Sequence, residues 1–478
     1  MSPWSVSRLL DEECSQQAEA VLRRASMYLE GRVVGTVAAC EASPDVQNYR
    51  ECFVRDFAVS AAAYLEVGET EVVRNFIETV ASLHPDQAGS TIPPADGLMP
   101  ASFTVERDDD GRECVIADYG QRAIGRVAPV DSALWWLLIL RAYQNASGDT
   151  GLARSGEVRA AIERVLEYYL RPQFEMLPSL LVPDGSSMID RRMGVHGHPL
   201  DIQVLFWAGM RAGLELLPED HELAGPVFRR LAALGRHLRE DYWLDRKRVE
   251  VIRRFPVEEF GTLLANPWNL HPDAIPVWTM AWLAERGGYY AGNLAPARLD
   301  VHFFTLGNLL AVSTGLATPE HAEALFDLIE HHRRDLLSDT GMKLTYPALE
   351  GRDWYLLTGS DQKNVPWSYH NAGTWPMLLW PLASAARVVG RSELAAEVVA
   401  QAAPRLAFDD WPEYYDGPYG GLIGRRSRLE QTWTVAAVLA AAVLLEDPEA
   451  PDPFAFARDE ALEEAIAAAK PDAVDRVD

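Results

Sequence analysis

The feature that most restricts this chain is a recurrence of helix-length segments in which one of each pair is apolar on nearly all sides. "VDSALWWLLILRAYQNASG", "GTWPMLLWPLASAARVVGR" and "SRLEQTWTVAAVLAAAVLLE" carry apolar runs from Leu134 to Leu140, Met377 to Ala386 and Val435 to Leu445. Neighbouring segments such as "GETEVVRNFIETVASLHP", "GPVFRRLAALGRHLREDYW" and "SELAAEVVAQAAPRLAF" keep the same 3.6-residue period but hold charge on one side. A helix apolar all round has to be covered all round, whereas a one-sided helix needs cover on one face only. Two concentric layers of helices satisfy both, so the expected fold is all-α: a toroid of inner and outer helices, an α/α barrel with short β-hairpin insertions. Period-2 patterns are confined to insertions such as "SLLVPDGSSMIDRR", with a turn expected at Asp184-Gly185, and "KRVEVIRRFP".

No Gly-, Ser- and Pro-rich boundary cuts the chain, so one catalytic domain over residues 1–478 is expected. A helix at about residues 8–30 and an acidic, Ala-rich tail at about 450–478 would flank it. Lys plus Arg is 44 and Asp plus Glu is 70, a net charge of −26 that repels nucleic acid and anionic lipid and favours a neutral or cationic small partner. The four cysteines, Cys14, Cys40, Cys52 and Cys114, show no ligand spacing and no disulfide framework. With no secretory or membrane-spanning apolar run, a cytoplasmic location is expected.

Chemistry belongs in the loops at one end of such a barrel. "NYRECFVRDF", "DGLMPASF", "DYGQRAIGRVAPVDSALWW", "SSMIDRRMGVHGHP" and "WPEYYDGPYGGLIGRRSRLEQTW" are too rich in polar and aromatic residues to be plain connectors. Trp135, Trp136, Trp268, Trp354, Trp367, Trp375, Trp411 and Trp433 supply flat apolar faces of the kind that receive a sugar ring, although filling the core is the commoner use of any one indole. Asp190, inside a turn shaped by Gly194, Gly197 and Pro199, has the fixed setting a general acid needs; a surface ion pair with Arg191 or Arg192 is the plainer alternative. His196 and His198 are spaced to share a metal, but no third ligand of suitable spacing accompanies them, so no metal and no cofactor are expected. Glu413, between Trp411 and two tyrosines and followed by Arg425, Arg426 and Arg428, is the second candidate carboxylate, against the reading of a solvated acidic loop.

Taken together, "VRDF", "GLMPASF", "AIGRVAPVDSALWW", "SSMIDRRMGVHGHP", "NPWNL", "GGYYAGNL", "FFTLGN", "YHNAGTWP" and "PEYYDG" with "LIGRRSRLEQTW" run in order over about residues 45–445. In these motifs the chain resembles the neutral/alkaline invertases of cyanobacteria and plants, glycoside hydrolase family 100. The resemblance implies an (α/α)6 barrel without a metal that hydrolyses sucrose to glucose and fructose with inversion. It implies that Asp190 is the general acid and Glu413 the general base. An inverting pair leaves room for a water, with carboxyl groups roughly 6.5 to 9.5 Å apart.

Arg55, Asp56, His198, Gln203, Tyr369, His370 and Trp375 are the candidates for holding the sugar, with Arg428 and Gln431 beside the base. Arg55 and Asp56 would serve equally as an ion pair at a helix start. The expected partner is sucrose, and association into a homo-oligomer is expected from apolar patches on outer faces. Two other classes fit an α/α barrel: an epimerase relying on His196, His198 and His370, and a sugar-binding protein without catalysis.

Overall fold

The computed structural model describes residues 4, 8–41, 48–83, 96–121, 128–172, 175–176, 178–182, 185–189, 191–254, 270–283, 285–295, 298–447, 449 and 451–469. Two layers of helices alternate along the chain: α1 (Glu12–Arg24), α2 (Val54–Glu66), α3 (Thr70–Ser82), α4 (Ser132–Ser147), α5 (Gly156–Tyr169), α6 (Leu200–Leu216), α7 (Ala224–His237), α8 (Thr305–Ser313), α9 (Pro319–His331), α10 (Leu379–Val388), α11 (Ser392–Phe408) and α12 (Thr432–Glu446). The even-numbered helices form the inner ring, each packed on the next, and α12 closes it by packing on α2. The odd-numbered helices lie outside, and α1 completes their layer by packing against α12 and α11. This is an α/α barrel whose first helix is built into its outer wall.

The apolar periods explain which helix goes where. Thr432 to Ala442 of α12 and Ser132 to Tyr143 of α4 are buried without a break, as a helix covered on both sides requires. In α3 the buried Val73, Phe76, Ile77 and Val80 line a single face. The α4 and α6 backbones approach closely at Gly209, where a Cβ would lie 3.1 Å from the Leu134 Cα, so a glycine is needed there. Two outer helices, α1 and α9, begin on side-chain caps: the carboxylate of Asp11 accepts from Cys14 N at 2.7 Å, and Thr318 caps α9 just before Pro319.

Short sheets enter at the N-terminal ends of the inner helices. Cys52–Phe53, Ser102–Arg107 and Glu113–Asp118 form one that leads into α2. His198–Pro199, Gly288–Ala295, Arg298–Phe304 and Thr345–Tyr346 form a second, with Trp243–Asp245 on its side, that leads into α6 and α8. Leu337–Ser338, Gly341–Lys343, Thr374–Trp375, Tyr415–Asp416 and Leu422–Ile423 form a third that leads into α10.

Two local expectations fail. "KRVEVIRRFP" is not strand: Arg246–Arg254 is helical, because Val249 and Ile252 bury one face at i, i+3 while Arg246 and Glu250 pair at i, i+4 at 3.0 Å. Gly185–Ser186 does not hairpin back on Ser179–Leu180; it pairs in parallel with Ala128–Pro129, and Asp184 lies outside the described residues. The longest antiparallel strand pair among the described residues, Gly288–Ala295 with Arg298–Phe304, lies outside the period-2 segments noted above.

The opposite end of the inner ring is sealed by the returning chain. Phe456 lies over the guanidinium groups of Arg141 of α4, at 3.5 Å, and Arg211 of α6, at 4.7 Å. Arg141 also donates to the carbonyls of Pro453 and Ala455, Arg211 to those of Ala457 and Thr314, and Phe456 N to Ser313 O at 2.9 Å. A last helix, α13 (Glu460–Ala468), docks on α7, where Arg239 forks onto Glu463 at 2.6 and 2.9 Å.

Candidate active site

All six inner helices begin at the same end, so their N-terminal turns surround one space. Arg55 and Asp56 open α2, Asp131 precedes α4, His198 to Gln203 open α6, Trp375 precedes α10, and Gln431 precedes α12. Six positive helix ends favour carboxylates there.

Glu413 lies in the segment between α11 and the Tyr415–Asp416 strand and is 3% exposed. The Tyr49 hydroxyl donates to both of its carboxylate oxygens, at 3.0 and 3.2 Å. The Glu413 amide donates to Arg428 O at 2.8 Å, and the Arg428 guanidinium lies 5.2 Å over the Tyr49 ring. Burial, then the Glu413 charge, hold the Tyr49 phenol well above its usual range, so it stays a donor.

Asp56 belongs to the same cluster. Burial pushes it up to about 7 against the pull of Arg55, and the charges of Glu413 and Asp131 add to the rise. The site therefore holds a carboxyl that exchanges its proton near neutral pH beside a buried glutamate. The guanidinium of Arg55 pairs with Asp131 at 2.5 Å and donates to Ser187 O at 3.1 Å. Through Ser187 it anchors the segment that carries Asp190.

Asp190 itself lies outside the described residues, but both sides of it are placed. Ser187 Oγ donates to Ile189 O at 2.9 Å, and on the far side Arg192 pairs with Asp361 at 3.8 Å. Gly194, at φ +68°, abuts the Leu357 carbonyl of the short helix Gly351–Thr358, an approach that a side chain would block.

An aromatic wall stands next to Glu413. Tyr369 stacks on His370 at 3.8 Å and meets Tyr414 edge-on at 5.2 Å, while Trp375 stacks on Tyr414 at 5.5 Å and crosses Trp433 at 5.6 Å. The Trp375 indole N–H donates to Tyr369 O at 2.9 Å. Trp135 and Trp136 are buried within helix α4 of the barrel, as Trp375 and Tyr414 are in the wall, and Trp136 donates to Ile77 O. Trp268 lies outside the described residues.

The wall is strained. Eight non-glycine residues among those described have positive φ, and Trp367, Tyr369, Ala372, Asp410, Trp411 and Glu430 all flank the Glu413 segment. Such a backbone costs about 1 kcal/mol or more per residue and persists only where packing imposes it, a pattern typical of functional sites.

His198 and Gln203 sit behind the lining. Both ends of the Gln203 amide bond the Leu180 backbone at 2.8 Å. The His198 amide donates to Asn293 Oδ1 at 3.0 Å, its carbonyl accepts from Tyr242 at 2.6 Å, and burial and His237 lower its ring to about 4. His196 is exposed. Gln431 is buried at the head of α12, and its Oε1 has no partner among the described residues. Tyr49 and Asp131 are not among the candidate residues that the sequence singles out, although both stand in segments it marks. Tyr49 stands in "NYRECF" and Asp131 in "PVDSAL", and only an unusual hydroxyl or acid beside a helix start marks them.

With the geometry in place, similarity to known proteins becomes informative. The family model described as alkaline and neutral invertase matches residues 18–448. The chain belongs to this family. It is 45% identical over 445 residues to neutral/alkaline invertase 3, chloroplastic, of Oryza sativa subsp. japonica, covering 91% of this chain and 73% of the relative. It is 45% identical over 453 residues to alkaline/neutral invertase C, mitochondrial, of Arabidopsis thaliana, covering 92% and 68%. Among solved structures, a mannosylglycerate hydrolase from Thermus thermophilus in complex with glucose shares the fold at a TM-score of 0.55 and 14% identity, over 89% of this chain and 99% of that one. The protein is thus a glycoside hydrolase with a sugar substrate. No described helix is long and apolar enough to cross a membrane.

Proposed function

We propose that the protein hydrolyses sucrose to glucose and fructose by a single displacement, with the whole chain acting as one catalytic unit. The observation that carries this reading is Glu413: a buried carboxylate, gripped through both oxygens by Tyr49, in the space where six inner helices begin. Asp190 gives its proton to the bridging oxygen as the bond from the glucosyl carbon to that oxygen breaks, which releases fructose. Glu413 takes a proton from a water whose oxygen bonds to the opposite face of the glucosyl carbon, and β-glucose forms.

Tyr369, His370 and Trp375 offer the sugar its apolar wall, Arg55 and Asp56 its polar floor, and Arg428 and Gln431 flank the water beside the base. The free acceptor on Gln431 suits a substrate hydroxyl or that water. His198 and Gln203 act by holding the strand at Leu180. The exposed Phe408, Tyr419 and Leu422 support association into a homo-oligomer, and four free cysteines suit a reducing cytoplasm.

Proton NMR of the anomeric signals during the first turnovers on sucrose tests the reading. We expect β-glucose first, and about a 1000-fold or greater loss of turnover in Asp190→Asn and in Glu413→Gln with the fold intact. First appearance of α-glucose would rule out inversion, and full activity of either variant would remove that residue from its role.

A further inference from the structure

Lys343 is a charged residue where the core would ordinarily place an aliphatic one. It is 2% exposed, at the end of the second strand of the third sheet, and stands between Met342 and Leu344 in "GMKLTYP". Burying an ammonium is costly unless its hydrogen bonds are met inside the protein. Here its Nζ donates to Gly417 O at 2.8 Å and to Thr374 Oγ1 at 3.2 Å, and it lies 5.6 Å over the Trp367 ring.

These bonds converge on the segment of the base. Gly417, at φ +95°, ends the Tyr415–Asp416 strand four residues after Glu413. Its amide donates to Trp367 O at 2.8 Å while its carbonyl is held by Lys343, so both its peptide groups are fixed. On the other side the Glu413 amide is held by Arg428 O. Asp416 binds Arg425 through Oδ2 at 3.1 and 3.3 Å, and its buried Oδ1 has no partner among the described residues.

We infer that Lys343, as an ammonium ion, is a positioning residue that fixes the Glu413 segment to the sheet, so that turnover depends on this buried cation. The inference rests on the reading of Glu413 as the base. The groups facing Nζ are the Thr374 hydroxyl, the Gly417 carbonyl, the Trp367 indole and the charge of Asp416. Burial lowers Lys343 to about 8 against the attraction of Asp416, so the pin loosens as the solution turns alkaline.

Steady-state kinetics on sucrose from pH 6 to pH 10 separates the possibilities. In Lys343→Met, which keeps the length and removes the charge, we expect kcat to fall about tenfold at pH 7, short of the about 100-fold that a misplacement of 1 Å costs, with KM within twofold. The alkaline fall centred near pH 8 should disappear in the variant, whose kcat should match that of the wild type above pH 9. Thr374→Val, a milder change, removes one acceptor of the ammonium and should move the alkaline limb towards lower pH. An unchanged kcat and pH profile in Lys343→Met, or a drop in thermal stability with both unchanged, would overturn the inference. Full activity of Glu413→Gln would instead defeat the reading of the base, whatever Lys343 does.

Discussion

The two ends of the inner ring bury polar groups in opposite ways. At the N-terminal end, Glu413 and Asp56 are held by few partners, the Gln431 oxygen is left open, and the surrounding backbone is strained. At the C-terminal end, the cations of Arg141 and Arg211 both lie against the Phe456 ring and bond the carbonyls of the returning chain. Polar groups kept for chemistry need unfilled valences and tolerate strain, whereas the cations at the closed end have most of their donors filled by backbone carbonyls, Arg211 Nε being without a hydrogen bond among the described residues. With the proposed function, the same barrel keeps stability and catalysis at different ends.

If that division holds, changes at the closed end alter stability and leave turnover alone. Phe456→Ala removes the ring that two guanidinium groups pack against and should destabilise by about 3 kcal/mol, read from urea unfolding, with kcat and KM on sucrose unchanged. A comparable loss of kcat would show that the two ends are coupled.

The open end should respond the other way. Tyr49→Phe deletes a hydroxyl that bonds a buried carboxylate, a loss of about 2 kcal/mol of positioning. That corresponds to roughly 30-fold in kcat, with little change in melting temperature. A rise in KM alone would make Tyr49 a sugar contact instead of a holder of the base.

The smallest effect concerns a titrating group at the closed end. Glu66, at the C-terminus of α2, is pushed up to about 9, first by burial and then by Asp452, against the pull of Arg387. Its unfolded value is about 4.3. Between those limits the folded state keeps a proton that the unfolded state has lost, so stability falls as pH rises through the window. Glu66→Gln should therefore melt about 2 °C higher than the wild type at pH 8 and level with it near pH 5. An equal difference at both pH values in calorimetry would exclude this origin.

Much of the barrel is legible in one dimension. The unbroken burial of α4 and α12 follows from runs of apolar residues at every helical position, and the one-sided pattern of α3 places it outside. "KRVEVIRRFP" misled because its period-2 alternation of β-branched and charged residues also buries Val249 and Ile252 on one helical face. The first strand, Gly288–Ala295, gives no period-2 signal because its tyrosines, glycines and apolar residues are buried on both faces, whereas Arg298–Phe304 does alternate, with Leu299, Val301 and Phe303 buried.

The sequence by itself determined the two-layer helical architecture and the family, since periodicity and ordered motifs are properties of the chain. It could not determine that Tyr49 grips Glu413 across 364 positions or that Lys343 reaches Gly417 across 74. Nor could it place the Gln203 amide on the Leu180 backbone, or the tail against Arg141 and Arg211. Those contacts depend on which helix ends the closed ring brings together, and hydrogen bonds and desolvation act over a few ångströms of space regardless of separation along the chain.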